Sequence, residues 1–432
     1  MGMLIEAFKR FGPAYLEKYQ DSMLPGHKKA LHDILACREG KFGKVGLACE
    51  TCGLVEEMNG ACRNRACVKC NGCRVREWIE KTKKRLPGVT YYHLVFTIPS
   101  ELRDIARRNQ KVFYQRMFWA VKETLFNYTD SQWIKGDIGF ISFLHTWDTK
   151  LLFHPHLHVV VLGGYFGACG RFVKLDREQF IPNSVLSKKF KTCFLNSLRD
   201  DLKQNIPSPF WKQKWVVFTK RSFDSSESVI EYLGRYVKKL AISESRMVAL
   251  TNDGVSFRYR QHKGRNEKPE KKIMFLPGED FLRRYFQHVL PARFVRVRYN
   301  GLLHTAHNDF LEMLREEEGQ MTPEEEIEPK PQKLCKECML PLVTAYMLIP
   351  AFLRGSAKLQ KGNVLYNIPG VPPDPQIHDY YEKNKNPAYN NLLEPIGFGC
   401  PSACVSKPRP PTACSTRPKP TAQQSVMPTK NK

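Results

Sequence analysis

A strand followed by a helix is the first clear pattern along the chain. Residues 91–98, YYHLVFTI, are rich in aromatic and β-branched side chains and end at Pro99, which favours a β-strand. Residues 100–126 then repeat apolar side chains at helical intervals, as a helix that buries one face would. We therefore expect a strand that leads directly into a long helix.

Two further strands are predicted in the next segment. Residues 139–147, GFISFLHTW, and residues 154–164, HPHLHVVVLGG, are both rich in apolar side chains, and only DTKLLF separates them. A connection this short most simply joins antiparallel neighbours. The two runs therefore predict a hairpin.

The segments outside this region differ in pattern. Residues 1–20 place charges among their apolar positions, which predicts an amphipathic helix rather than a signal peptide and argues against export. The glutamate-rich segment 303–333 predicts an exposed acidic linker, and residues 401–432, which contain no acidic residue, predict a disordered basic tail. The apolar run 338–353 contains Pro341 and Pro350 and is too short for a membrane helix, so we expect a buried strand pair there and no membrane partner.

The charge of the chain indicates its partner. Its 68 Lys and Arg against 43 Asp and Glu give a net charge of +25, which favours nucleic acid as the partner. With 42% hydrophobic and 11% aromatic residues, the chain can fill a large core, which excludes a wholly disordered or fibrous protein. We expect a cytoplasmic protein of several domains.

Cysteines are concentrated near the N-terminus. In a reducing cytoplasm, close CxxC spacing indicates a metal site more often than disulfides, and two such thiolates can bind one tetrahedral zinc ion. The CxxC pairs Cys49/Cys52 and Cys67/Cys70 therefore predict one structural zinc ion that the two pairs share. Cys37, Cys62 and Cys73 are surplus to that site, and whether they complete a second zinc site or bind no metal is left open. The candidate ligands are Cys37, Cys49, Cys52, Cys62, Cys67, Cys70 and Cys73. Basic side chains among these ligands suit phosphate contacts, although some are solvated surface; they are Arg63, Arg65, Lys69, Arg74 and Arg76. The role of a later pair, Cys335/Cys338, stays open.

Alternating histidines indicate a second metal site. On a strand, His154, His156 and His158 project from one face and can share a cation. A hairpin would bring His145 alongside them as a further ligand. His93, on the earlier strand, is the weaker alternative.

A predicted helix carries two tyrosines. Tyr232 and Tyr236 are four residues apart and so lie on one helical face. Such pairs mostly serve core packing. Here Arg235 and Lys238 add positive charge, which would lower the pKa of a phenol and hold a phosphate nearby.

These motifs together resemble a known family. The blocks CRNRACVKC, LHTW, HPHLHVVVLGG, YLGRYVKKLAISESR, FRYR and FLRRYFQHVLPARFVRVRYNGLL occur in the order found in rolling-circle transposases of the insertion sequence 91 family. The similarity covers roughly residues 25–310. It departs from the family pattern at Ala66, usually histidine, and at Val68, usually proline. These enzymes belong to the HUH (His-hydrophobe-His) endonuclease superfamily.

The resemblance implies a chemistry for the two motifs. His156 and His158 would be the HUH element, which binds Mg²⁺ or Mn²⁺ with a third ligand, and Tyr232 and Tyr236 the paired nucleophiles. The partners would be single-stranded DNA at element ends and target DNA, in the bacterial nucleoid. A relaxase or replication initiator of the same superfamily, or a zinc-dependent DNA-binding protein without catalysis, is the alternative. The sequence leaves the oligomeric state open.

The motifs also suggest how the chain is divided. We expect an α+β fold, in which a mainly antiparallel sheet with helices packed on it follows a small zinc-binding domain. The predicted segments are a helical arm at 1–30, a zinc-binding DNA-recognition domain at 31–86, a catalytic domain at 87–302, an acidic linker at 303–333, a small CxxC region at 334–400 and a basic tail at 401–432.

Overall fold

The computed structural model describes residues 2–83, 85–202, 207–223, 225–236, 240–261, 269–317 and 333–348. Within these ranges, the side chains of residues 73, 74, 227, 235, 236, 317 and 345–348 are not described. The predicted basic tail lies outside the described residues. So does the acidic segment between residues 318 and 332.

Helices and strands both contribute to the fold, which confirms the α+β prediction. The helices are α1 (Met3–Tyr19), α2 (Pro25–Leu35), α3 (Val68–Lys83), α4 (Arg103–Arg108), α5 (Gln110–Phe126), α6 (Asn183–Leu202), α7 (Ser208–Lys212), α8 (Ser226–Tyr236), α9 (Gly278–Phe286) and α10 (Asn308–Glu317). The strands are β1 (Lys44–Ala48), β2 (Val55–Asn59), β3 (Tyr91–Thr97), β4 (Gly136–Asp137), β5 (Gly139–Trp147), β6 (Phe153–Leu162), β7 (Gly164–Gly167), β8 (Phe172–Lys174), β9 (Val217–Phe223), β10 (Met247–Leu250), β11 (Gly254–Gln261), β12 (Glu270–Pro277), β13 (Val297–Gly301) and β14 (Val343–Leu348).

A five-stranded antiparallel sheet forms the centre of the fold, with the strand order β13-β5-β6-β3-β9. Strands β5 and β6 form the predicted hairpin. The predicted long helix after β3 is divided at Asn109 into α4 and α5, because this residue leaves the helical conformation (φ −125°, ψ 39°).

The two faces of this sheet are covered by different helices. Alternate residues of β6, Leu157 and Val159, enter a core with side chains of α5 and α6. Val160 and Leu162 face the other way and pack with Leu233 of α8 and with α10. Because successive side chains of a strand point to opposite faces, His156 and His158 share the face on which α8 lies.

A second core joins the N-terminal helices to later strands. Leu4 and Phe8 of α1 and Leu31 of α2 pack with Phe257 of β11 and Phe281 of α9. The strands β10, β11 and β12 form a separate antiparallel sheet behind them. The first 30 residues, predicted as a helical arm, form α1 and the start of α2. Their apolar faces complete a core that includes residues far along the chain.

Two boundaries predicted from sequence differ from the structure. Residues 308–317, assigned to the acidic linker, form α10, because Leu311 and Leu314 are buried against the central sheet. In the run 338–353, the described part contains one strand, β14, which pairs with β1, while Met339 and Leu340 are exposed. A buried strand pair is therefore the wrong description of residues 338–348, and residues 349–353 lie outside the described ranges. No helix among the described residues has the length and apolar character to cross a membrane.

Candidate active site and cysteine clusters

Strand pairing brings three histidines together. His145 of β5 lies directly opposite His156 of β6, and His158 follows two residues later on the same face. The nitrogen atoms of these three side chains that could bind a metal all lie within 4.8 Å of one another. This set, the histidine cluster, contains two of the three alternating histidines and the one expected from the partner strand.

A bulge in β6 adjoins the cluster. Because His145 pairs with His156 but Trp147 pairs with Phe153, β6 has one residue more than β5 between these pairs. Pro155 lies in this extra stretch, where its missing N–H breaks no ladder hydrogen bond. His154 lies outside the cluster, and its Nδ1 is 3.0 Å from a guanidinium nitrogen of Arg103.

The geometry of the cluster suits a divalent cation. Nδ1 of His156 is 2.7 Å from the carbonyl oxygen of His154, so it donates to that oxygen and leaves the Nε2 lone pair free. Nε2 of His156 and Nε2 of His158 lie 3.1 Å apart. Two neighbouring ligands of an octahedral ion at about 2.1 Å would be about 3.0 Å apart. The histidines present therefore fit such an ion.

Burial keeps these rings neutral. It lowers the pKa of His156 to about 4 and holds the pKa of His158 well below its usual value. Burial likewise lowers the pKa of His93 to about 4. Neutral imidazoles have a lone pair for a metal or a hydrogen bond, so the site is prepared for ligation at neutral pH.

Tyr232 points its hydroxyl at this site. The oxygen lies 2.8 Å from Nε2 of His93 and 3.1 Å from Nδ1 of His158. His93 itself lies 2.9 Å from His158. Sequence reasoning treated His93 only as a weaker metal ligand and missed its contact with the tyrosine, which depends on the adjacency of β3 and β6.

The other tyrosine-helix candidates are less fully described. Tyr236 is the last residue of α8, and Arg235 precedes it, but both side chains are outside the described ones. Lys238 lies outside the described residues altogether. Of the four candidates on this segment, Tyr232 alone has a described side chain.

The first cysteine cluster consists of Cys37, Cys62, Cys67 and Cys70. Their four sulfur atoms lie within 4.8 Å of one another, and Cys70 Sγ is 3.6 Å from Sγ of both Cys37 and Cys62. Two thiolates on a tetrahedral zinc ion at about 2.3 Å would be about 3.8 Å apart. Hydrogen bonds, from the Cys62 side chain above all, lower the pKa of Cys67 to about 5. These residues fit a structural zinc ion, and no ligand at Ala66 is needed.

The second cysteine cluster consists of Cys49, Cys52, Cys335 and Cys338, again with all four sulfurs within 4.8 Å. The two N-terminal CxxC pairs therefore belong to different clusters, and the expectation that they share one ion is wrong. The two pairs are separated by the tertiary structure. Cys67 and Cys70 lie at the start of α3, whereas the pairing of β1 with β14 brings Cys49 beside the chain that precedes β14. Cys73 is in α3, and its side chain is not described.

Arg65 connects the first cluster to the central sheet. Its guanidinium donates to the carbonyl oxygens of Phe294 and Leu290, at 2.7 and 2.8 Å, and to that of Pro291. These three hydrogen bonds hold the Arg65 side chain against the loop before β13. Part of the Arg65 guanidinium is therefore used within the fold, and a phosphate contact of this residue stays a prediction.

Comparisons with known proteins agree with this architecture. A family model described as "Putative transposase" matches residues 139–309, and a model for a transposase zinc-binding domain matches residues 7–98. No solved structure matches the chain. The central sheet and the first cysteine cluster thus lie in segments that transposases share.

Two transposases are similar over most of the chain. A protein named "Putative transposase y4qJ" from Sinorhizobium fredii is 33% identical over 319 residues, which are 69% of this chain and 79% of that protein. The transposase for insertion sequence element IS801 from Pseudomonas savastanoi pv. phaseolicola is 25% identical over 287 residues, 62% of this chain and 68% of that protein. The chain belongs to the insertion sequence 91 family of transposases. It is therefore a DNA-binding and DNA-cleaving enzyme with a zinc-binding domain.

Proposed function

We propose that this transposase nicks and rejoins single-stranded DNA at the ends of its insertion element through 5′-phosphotyrosine intermediates, as rolling-circle transposition requires. The observation that supports this proposal most directly is the position of Tyr232. Its hydroxyl lies 3.1 Å from His158, a member of the histidine cluster. A nucleophile beside a candidate metal site is the arrangement that phosphoryl transfer needs.

His145, His156 and His158 would hold the catalytic cation. Bound there, Mg²⁺ or Mn²⁺ would polarise the scissile phosphate and offset its charge. Imidazole ligands are unusual for Mg²⁺. The proposal therefore keeps Mn²⁺ as a candidate beside Mg²⁺. Stacking of His145 on Trp147, with ring centroids 4.7 Å apart, fixes the orientation of this third ligand.

Tyr232 is the nucleophile for the first strand in this proposal. The neutral rings of His93 and His158 orient its hydroxyl. In the reaction the hydroxyl gives its proton to the neutral His93, 2.8 Å away, and its oxygen forms a bond to phosphorus. The bond from phosphorus to the 3′ oxygen breaks, and the departing oxygen takes up a proton to end as a free 3′-OH. The phosphodiester energy is kept in the phosphotyrosine, so a later 3′-OH can rejoin the strand without ATP.

Tyr236 would serve the second strand. It lies one helical turn from Tyr232 on α8, so one helix presents both phenols to the same region. Two covalent ends could then be held during transfer from donor to target. Arg235 and Lys238 would supply positive charge for the phosphates.

The edge of the sheet beside the active site supports a single-stranded substrate. Phe218 of β9 pairs with Val95 of β3, which pairs with His158. This row places Phe218 about 10 Å from His158, two strand spacings away. Its side chain is 46% exposed, and Lys220 projects from the same face of β9. An exposed ring beside a cation can stack an unpaired base while the cation contacts phosphate, which a paired base would not allow.

The zinc-binding domain would position this chemistry. In our proposal Cys37, Cys62, Cys67 and Cys70 bind one structural zinc ion, which fixes the start of α3. The other half of α3 packs against the tyrosine helix, where Ile79 meets Gly234. The net charge of +25 further favours association with the nucleoid.

Covalent capture tests the proposal. The protein is incubated with Mn²⁺ or Mg²⁺ and oligonucleotides for each strand of both element ends, and adducts are mapped by peptide mass spectrometry. We expect single strands to become attached to Tyr232, and we expect the matched duplexes to form no adduct. A relaxase or initiator would nick one origin-like strand and not join two element ends, and a non-catalytic DNA-binding protein would form no adduct.

A further inference from the structure

The second cysteine cluster draws half of its members from outside the segment that matches the zinc-binding domain. That match ends at residue 98, whereas Cys335 and Cys338 follow the last strand of the central sheet in the sequence. Sγ of Cys52 lies 3.6 Å from Sγ of Cys335. This separation is close to the 3.8 Å or so expected for two thiolates on one zinc ion and far from the roughly 2.05 Å of a disulfide.

The turn that contains Cys49 and Cys52 is shaped to hold a metal. The backbone N–H of Cys49 donates to the carbonyl of Leu54, and that of Gly53 donates to the carbonyl of Cys49, both at 2.9 Å. Gly53 has a φ of 74°, a conformation that glycine adopts without strain.

The turn that contains Cys335 and Cys338 repeats these hydrogen bonds. The N–H of Cys335 donates to the carbonyl of Leu340 at 2.8 Å, and that of Met339 donates to the carbonyl of Cys335 at 2.9 Å. Met339, which follows the second cysteine as Gly53 does, has a φ of 57°. Two turns with the same backbone geometry thus face each other across the four sulfurs. Cysteines that met by chance would not require this match.

The described side chains of this region form only a small core. Its four buried members are Leu47, Cys49, Cys335 and Leu342. Strand β14 pairs with β1, and Lys333 forms an ion pair with Glu56. A core this small does not normally stabilise a fold without a metal or disulfides.

We propose that Cys49, Cys52, Cys335 and Cys338 bind a second structural zinc ion, which fastens residues 333–348 to the N-terminal zinc-binding domain. Two of these cysteines precede the strands of the central sheet in the sequence, and two follow them. The ion would therefore hold the chain that follows α10 against β1. This assignment gives a role to the C-terminal CxxC pair. It does not depend on the DNA chemistry, because its tests measure metal and chain association alone.

Metal content gives the first test. In reducing buffer, native mass spectrometry of the full chain should show two zinc ions, and one ion would overturn the proposal. The variant C335S/C338S should retain one. The matched control C169S removes an exposed cysteine outside both clusters and should retain two. If C335S/C338S kept two ions or none, the proposed independence of the second site would be wrong.

The association of the two chain fragments gives the second test, in which none of the four cysteines is mutated. A protease recognition sequence is inserted between residues 318 and 332, and the full protein is cleaved there. The C-terminal fragment should copurify with the N-terminal one and should be released when a chelator removes zinc. Cadmium added in place of zinc should restore the association, since it also prefers thiolates. Release before chelation, or retention in zinc-free protein, would refute the role of the ion.

Discussion

Gly234 of the tyrosine helix lies directly against Ile79 of the helix that begins in the first cysteine cluster. A Cβ atom at Gly234 would be 2.8 Å from Cδ1 of Ile79, closer than two carbon atoms normally approach. Helices α3 and α8 therefore approach closely because residue 234 has no side chain. The contact links the zinc-binding domain to the helix that carries Tyr232.

This contact should govern where the tyrosine lies. Gly234→Ala should have a small effect, because the end of the Ile79 side chain can shift. Gly234→Leu should push α8 away and slow single-turnover adduct formation by about tenfold or more, since small displacements of a nucleophile are costly. Adding Ile79→Ala should recover part of the rate. Wild-type rates for Gly234→Leu, with zinc content and melting unchanged, would show that the contact does not position the nucleophile.

Removal of the Tyr232 hydroxyl should stop the first strand reaction. Tyr232→Phe keeps the ring packing, so folding and DNA binding should persist, while adduct formation should fall by about 10³-fold or more. Tyr236→Phe should still form the first adduct but fail in transfer between two ends. Gel analysis of labelled oligonucleotides measures both. Efficient adducts in Tyr232→Phe that map to Tyr236 would reverse the proposed order.

The histidine cluster should distinguish His156 from His154. His156→Ala removes a proposed metal ligand and should abolish Mn²⁺-dependent adduct formation, with partial recovery at high Mn²⁺. His154→Ala, two residues away on the same strand, is the matched control and should retain most activity. Mn²⁺ binding by isothermal calorimetry provides a readout that does not require turnover. Equal losses in both variants would contradict the proposed ligand set.

Phe218 should contribute to binding of unpaired DNA. Loss of one stacked base costs about 1–3 kcal/mol, so Phe218→Ala should weaken binding of a single-stranded end by about fivefold to 150-fold. Val173→Ala, which truncates another exposed apolar residue, should change little. Lys220→Ala should reduce the salt dependence by one phosphate contact, about 0.7 in the log-log slope. Unchanged affinity in Phe218→Ala, measured by fluorescence anisotropy, would remove this strand from the DNA path.

Acid should destabilise the fold through His288. Burial lowers the pKa of His288 to about 3, whereas an unfolded histidine titrates near 6.5. Below about pH 6.5 the unfolded chain therefore binds a proton that the folded chain does not. The free energy of unfolding should fall by up to about 1.4 kcal/mol per pH unit between these values. Denaturation of His288→Gln at several pH values isolates this effect, and parallel slopes for the two proteins would contradict it.

Local patterns in the sequence were sufficient for the central features of the active site. The strands at 91–98, 139–147 and 154–164 were predicted because period-two and β-rich runs depend on neighbours along the chain. The short connection between two of them also brought His145 to His156, since a hairpin pairs residues close in sequence. Motif order was sufficient to indicate the family.

The tertiary structure decided which cysteines meet and what surrounds the tyrosine. The CxxC spacing shows that two thiolates can share one ion, but it does not show which distant pair supplies the other two ligands. The pairing of β1 with β14 places Cys49 and Cys52 in a different cluster from Cys67 and Cys70. The contact between His93 and Tyr232 likewise depends on the order of strands in the sheet and on the packing of α8. These contacts join residues that are far apart in the sequence. They form because large apolar surfaces are buried against each other, and the choice of partner surfaces is not visible in any short stretch of sequence.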